Sequence, residues 1–193
     1  MKKNLVIAVW FTLVTTVLFG LIYPLVVTGL SQLLFPEKAN GQIIERNGKL
    51  VGSRIIGQAF NGPGYFHSRP SSAGTGNGYD PTSSSGSNLG PTNKSLIDRV
   101  NGDVQKLRAE NPGSAIPVDL VTTSGSGLDP DISPAAAEFQ ISRIARERHV
   151  SETELRALVA KHTLGRQFGV LGEPRTNVLE LNLELDAQHP LSK

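Results

Sequence analysis

The chain contains no cysteine. That excludes a disulfide-stapled module and any thiolate chemistry, and it fits an oxidising compartment without requiring one. Aromatic residues are scarce, at 6% of 193 positions, and hydrophobic residues reach only 38%, so any core has to be modest. An excess of positive charge is missing where it would matter. Removing Lys2 and Lys3 from the 19 basic residues leaves 17, against 17 acidic residues that all lie beyond position 36. The chain beyond its N-terminal region is therefore neutral. A nucleic-acid binder needs a positive excess to neutralise phosphates, so nucleic acid is excluded as a partner.

The longest absence is of charge itself, which does not occur from Asn4 to Pro36. The stretch from Leu5 to Phe35 is dominated by Leu, Val, Ile and Phe. A helix of about 30 residues rises about 45 Å, against about 30 Å of hydrocarbon, so it spans a bilayer with residues to spare. We read residues 1–36 as a transmembrane anchor with an apolar continuation. Pro24 predicts a kink or break near Tyr23-Pro24, after a span of about 20 residues. Trp10 and Tyr23 suit the two interfaces. A cleaved signal peptide would have a shorter apolar region and a small-residue cleavage site, and neither is present. Lys2, Lys3 and the short tail favour a cytoplasmic N-terminus with the domain outside, although Lys38, Arg46 and Lys49 leave that bias small.

Residues 37–193 suffice for one compact domain. Asn47-Gly48 between Ile43-Ile44 and Leu50-Val51 predicts a hairpin. Residues 61–93 show no hydrophobic period and are more than half Gly, Pro, Ser, Thr or Asn; composition alone allows a disordered linker, whereas long irregular loops inside domains are commonly functional. Leu96, Ile97, Val100, Val104 and Leu107 predict a helix over 94–110. Ile116–Thr123 reads as a short strand. Ser133-Pro134 opens a second helix, with Ala137, Ile141, Ile144 and Ala145 as its buried stripe; Arg143, Arg146 and Arg148 read as a solvated face, with anion binding as the alternative. Ser151 and Glu154 form a capping box for a third helix, ended by Gly165. Leu179, Leu181, Leu183 and Leu185 alternate with polar residues, which favours a half-buried strand over 178–185 while tolerating a helix. The fold class is α+β: one N-terminal transmembrane helix, then a small mixed domain of antiparallel sheet plus about three helices, without internal repeats.

Independent chemistry finds no support. Gly86 to Gly90 with Lys94-Ser95 has the wrong spacing for a phosphate loop, and Gly74-Thr75-Gly76-Asn77-Gly78 lacks a preceding strand. The four histidines show no ligand spacing, so no metal is expected. No nucleophile elbow occurs. Catalytic residues: none are expected.

The motifs taken in order carry a resemblance. They are the apolar anchor, Tyr65-Phe66-His67-Ser68-Arg69-Pro70-Ser71, the run from Ser85 to Asn93, Ser126-Gly127-Leu128-Asp129-Pro130 with Ile132-Ser133-Pro134, and the run from Glu173 to Asp186. Nearly end to end, the chain resembles the C subunits of the Kdp-type potassium-transporting P-type ATPases, the KdpC family. The resemblance implies a non-catalytic accessory subunit of a high-affinity potassium uptake complex in the bacterial inner membrane. Its implied partners are a channel-like potassium-selecting subunit, an ATP-hydrolysing subunit and membrane lipid. It also implies a catalytic chaperone that raises the pump subunit's ATP affinity. ATP contact is implied near Gln140, with no other cofactor. A domain outside the membrane reaches ATP inside only by conformational coupling, which favours assembly and stabilisation of the potassium-selecting subunit. The loop 61–93, with Tyr65, Phe66, Arg69, Tyr79 and Asn88, is the expected partner contact; its rival is an internally packed Ω-like loop. A stand-alone membrane-tethered periplasmic binding or sensor module is the alternative function. The anchor's excess length, with Gly20, Pro24 and Gly29, suits a helix that packs against others.

Overall fold

The computed structural model describes residues 1–76 and 78–191. Asn77, within the glycine-rich run considered above, lies outside the described residues. The chain divides into two compact units, Met1–Val51 and Gly52–Lys193.

The first unit is built on one uninterrupted helix, Lys2–Leu34, with none of its apolar surface buried. At 33 residues it is long and apolar enough to cross a membrane. It comprises α1 (Lys2–Thr15), a π-helical segment (Thr16–Ile22) and α2 (Tyr23–Leu34). Of the kink or break expected near Tyr23-Pro24, no break occurs; the helix continues through a π-helical segment that ends at Ile22. Proline lacks an N–H and crowds the carbonyl four residues back; the widened π turn just ahead of it absorbs that mismatch and lets the helix continue, with the Tyr23 N–H reaching the Leu18 carbonyl. A short turn, α3 (Pro36–Ala39), follows. Then β1 (Ile43–Arg46) pairs with β2 (Lys49–Ser53). Asn47 and Gly48 both take positive φ, 52° and 71°, as a tight two-residue turn demands.

The second unit opens with the long irregular segment and then α4 (Lys94–Glu110), capped by Asn93, whose side chain accepts from the Ser95 N–H. No α4 residue is fully buried. Its apolar face is only half covered, with Leu107 touching the core. The strand expected over 116–123 is instead a single 3-10 turn, Val118–Leu120. Pro117 has no N–H for a ladder, and Leu120 turns into the core. After β3 (Asp131–Ile132) comes α5 (Pro134–Arg148), with Ser133 capping the Ala136 N–H. The Ser151 capping box opens α6 (Glu152–His162), which stops three residues short of Gly165. A three-stranded antiparallel sheet has the order β3-β5-β4, with β4 (Thr163–Leu164) and β5 (Arg175–Asn177). Finally, residues 178–185 lie in a helix, α7 (Val178–Gln188). The alternating leucines misled because α7 is covered on more than one side: Leu179, Leu181 and Leu185 are all buried, while Asn177 caps the helix start.

The core gathers Phe66 from the loop, Ile132, Ile141, Ile144, Leu155, Leu158, Val178, Leu181 and Leu185. It is small and helix-dominated, and the sheet serves mainly to orient α5 and α7 beneath the long loop. The architecture is the α+β arrangement expected.

Candidate functional site: a loop held by helix side chains

The first half of the loop lies over α5 and α7, and its backbone is satisfied by their side chains rather than by a strand. Asn182 on α7 accepts from the Phe66 N–H and donates to the Phe66 carbonyl, both at 2.9 Å. Gln140 on α5 repeats the arrangement one residue on, accepting from the His67 N–H at 2.7 Å and donating to the His67 carbonyl at 3.1 Å. Two side-chain amides thus imitate two rungs of a ladder, and Phe66 is driven fully into the core. This satisfies backbone groups that would otherwise be buried without partners.

Two arginines complete the hold. Arg143 donates to the carbonyls of Pro63 and Tyr65, to Gln140 Oε1 at 2.7 Å and to Glu110 at 2.8 Å. Arg148 donates to the Gly64 carbonyl at 2.6 Å, the His189 carbonyl at 2.6 Å and Asp186 at 2.8 Å. Its guanidinium also lies 4.7 Å over the Tyr65 ring, whose hydroxyl donates to Asp186. These arginines were expected on a solvated face, yet Arg143 and Arg148 are buried; only Arg146 is exposed. Burial is tolerated because each charge meets a carboxylate and several carbonyls, leaving few donors unmatched. The signal was present in sequence: Gln140 follows Ala137 by three and precedes Ile144 by four, so the amide sits on the apolar stripe. Asn182 stands likewise three after Leu179.

The second clamp is electrostatic. Arg69 pairs with Asp129 at 2.8 Å. The Tyr79 hydroxyl donates to the Arg69 carbonyl at 2.8 Å, and Ser71 donates to the Gly127 carbonyl while accepting from the Tyr79 N–H. Burial pushes the Tyr79 hydroxyl up to about 12. Gly127, at φ 69°, comes so close to the loop that a Cβ there would lie 2.7 Å from the Ser85 carbonyl oxygen. His67 titrates below its ordinary value because it is buried and because Arg143 is near.

Tyr65, Arg69 and Tyr79 are each half-buried, and Tyr79 is tied back to the first half of the loop through Ser71 and the Arg69 carbonyl. Phe66 is an internal anchor, without surface for a partner in this conformation. Asn88 stands apart, exposed on the second half, bonded only to the Gly86 carbonyl. Gln140 is 1% exposed, and its amide is filled by His67, Arg143 and Ala136. Both edges of that amide are used within the domain.

Two clefts flank the loop. One of about 420 Å³ is lined by His67, Arg69, Tyr79, Asp103 and Lys106 among others. The other, about 470 Å³, contains Asp119, Asp129, Asp131 and Glu173 with Arg69 and Arg175. Burial, with Asp129 close by, raises the Asp131 carboxyl above its ordinary value. Among the described residues no group of three His, Asp or Glu could hold a metal ion.

Comparison with known proteins adds a sequence-wide finding. The family described as "K+-transporting ATPase, c chain" (KdpC) matches residues 5–187. A potassium-transporting ATPase KdpC subunit of Koribacter versatilis (strain Ellin345) is 64% identical over 191 residues, covering 99% of this chain and 98% of that protein. Proteins of the same name from Acidobacterium capsulatum and Methylobacterium nodulans are 57% and 55% identical, covering 94% and 96% of this chain and 97% and 96% of their own lengths.

Proposed function

Because the chain belongs to the KdpC family, the c chains of K+-transporting ATPases, we propose that it is the non-catalytic accessory subunit of an ATP-driven, high-affinity potassium uptake complex. In this reading the Lys2–Leu34 helix anchors it in the bacterial inner membrane with its N-terminus cytoplasmic. The domain stands in the periplasm against the potassium-selecting subunit, in a complex with the ATP-hydrolysing one. The match across 183 of its residues carries the reading.

The domain's chemistry supports an assembly role. Buried Gln140, Arg143, Arg148 and Asn182 are occupied in holding the loop, which presents Tyr65, Arg69 and Tyr79 as a preformed surface, with Asn88 exposed farther along it. Preformed surfaces bind with less ordering cost. The proposed effect on ATP affinity then runs through conformation, with Gln140 setting the loop rather than meeting the nucleotide. Recovery with both other subunits from mild detergent tests the assignment; recovery as a free monomer counts against it. Protease added to intact spheroplasts tests the orientation, since digestion of the C-terminal unit is expected and full protection refutes it. Labelled-ATP crosslinking tests the indirect route, and specific labelling of Gln140 refutes it.

A further inference from the structure

Residues 164–175 are exposed without exception, yet they form an ordered arm. At its base, β4 and β5 pair Thr163 with Thr176 and Leu164 with Arg175, the two threonine hydroxyls lying 3.0 Å apart. Halfway out, Arg166 grips both carboxylate oxygens of Glu173, at 2.8 and 2.7 Å. At the end, Gln167 and Leu171 exchange backbone bonds of 2.8 and 2.9 Å. The turn they enclose begins with Phe168 at φ 53° and Gly169 at φ 76°. Phe168 is 89% exposed and Val170 72% exposed.

This turn is costly twice over. A left-handed backbone penalises a bulky residue that is not glycine. The chain solves a comparable problem at 47–48 with Asn-Gly, the inexpensive pair. Here it uses Phe-Gly, and the ring then meets water instead of a neighbour. Among the described residues nothing offsets either cost, which directs attention to a contact outside the chain.

Two occupants compete. A loop seeking anionic lipid gains from unpaired Lys or Arg beside its apolar tip. The cation beside this tip, Arg166, is already neutralised by Glu173, and the chain carries its own membrane helix. An aromatic centre within a charge-balanced rim is the pattern of a protein–protein hot spot, and an arm already ordered has little entropy left to lose. We propose that the arm 164–175 inserts Phe168 into an apolar pocket on the extramembrane surface of the potassium-selecting subunit, against which the domain is placed above. This rests on the accessory-subunit reading above.

The test uses the full chain co-expressed with the potassium-selecting and ATP-hydrolysing subunits. Phe168→Asn removes the ring while suiting the left-handed turn. Its thermal midpoint in detergent is expected to equal or exceed that of the unaltered chain, while the fraction retained in the washed complex falls about tenfold or more. A Phe168→Trp chain in a Trp10→Phe background is expected to show blue-shifted emission in the complex, unquenched by lipids with brominated acyl chains. Retention of Phe168→Asn at the unaltered level overturns the proposal. Quenching by brominated lipid also overturns it, and assigns the tip to the bilayer. Should the unaltered chain itself be recovered alone, the subunit reading falls with it; failure of the variant arm alone leaves that reading standing.

Discussion

Asn182→Ala and Gln140→Ala form a pair that separates holding a loop from touching a nucleotide. Asn182 is 1% exposed and serves both backbone groups of Phe66, which is fully buried. Alanine leaves one N–H and one C=O without partners in the core. Each orphaned group costs about 1–3 kcal/mol, and the vacated volume adds to this, so about 3–5 kcal/mol is expected. For a unit of this size that is a fall in thermal midpoint of roughly 10 °C or more. Gln140→Ala frees the backbone of His67 and removes an acceptor from Arg143. His67 is only half-buried, so water recovers part of the loss, and about 2–4 kcal/mol is expected. The assay is circular-dichroism melting of the full chain in detergent, with ATP affinity measured on the assembled complex. If Gln140 acts through the loop, both variants weaken the ATP effect, and Asn182→Ala weakens it at least as much. The reasoning is refuted if Asn182→Ala melts within about 2 °C of the unaltered chain, since about 1 kcal/mol or less would then be at stake. It is refuted equally if only Gln140→Ala disturbs ATP affinity.

Three further outcomes follow from the same contacts. His67 is held below the ordinary imidazole value of 6.5 chiefly by burial, with Arg143 adding to the shift and the Gly62 carbonyl and Glu110 opposing it. As pH falls through 6.5 the unfolded chain takes up the proton first, so this contribution to stability is full above 6.5 and is lost between 6.5 and the lowered folded value; His67→Gln is expected to flatten melting midpoints across that window. Gly127→Ala forces a Cβ to 2.7 Å from the Ser85 oxygen and 2.8 Å from the Ala73 nitrogen at φ 69°, for a loss of about 2–4 kcal/mol readable by denaturant titration. Ser151→Ala removes the hydroxyl that accepts from the Glu154 N–H, while the backbone N–H of residue 151 still donates to the Glu154 carboxylate; it is expected to cost about 1 kcal/mol in the same titration, without disturbing retention in the complex.

The elements legible in the sequence were those with local causes. The Asn47-Gly48 turn, the span of α4, the Ser133-Pro134 start of α5 and the Ser151 box are each specified by a few adjacent residues, and all form where expected. The errors arose where tertiary packing decides. Leucines at every second position read as a strand, but α7 is covered by α6 and β5 together and buries leucines on several sides. Ile116–Thr123 has strand-forming residues but no partner edge, and closes into one turn. The arginines of α5 read as solvent-facing because nothing local shows that a loop 80 residues earlier in the chain will lay its carbonyls over them. The start of the loop offered the least, since residues 63–67 are held by Gln140, Arg143, Arg148 and Asn182 rather than by the loop's own side chains.

That dependence bears on how such a subunit acts. A loop satisfied by distant helices is stable only while α4, α5 and α7 keep their spacing, because Arg143 bonds Glu110 on α4 and loop carbonyls at once. Displacing one of these helices by an ångström or two breaks several bonds together, so the clamp behaves as an all-or-none element rather than a soft spring. On the proposed placement outside the membrane, the proposed bias on ATP binding runs only through a preference for one conformation of the neighbouring subunits. The coupling is reciprocal: whatever factor it lends to ATP affinity, nucleotide binding lends back to its own hold on the complex. A domain with a rigid loop and a stiff, aromatic-tipped arm is suited to that task, since a compliant one would follow either neighbouring state at nearly equal cost and select neither.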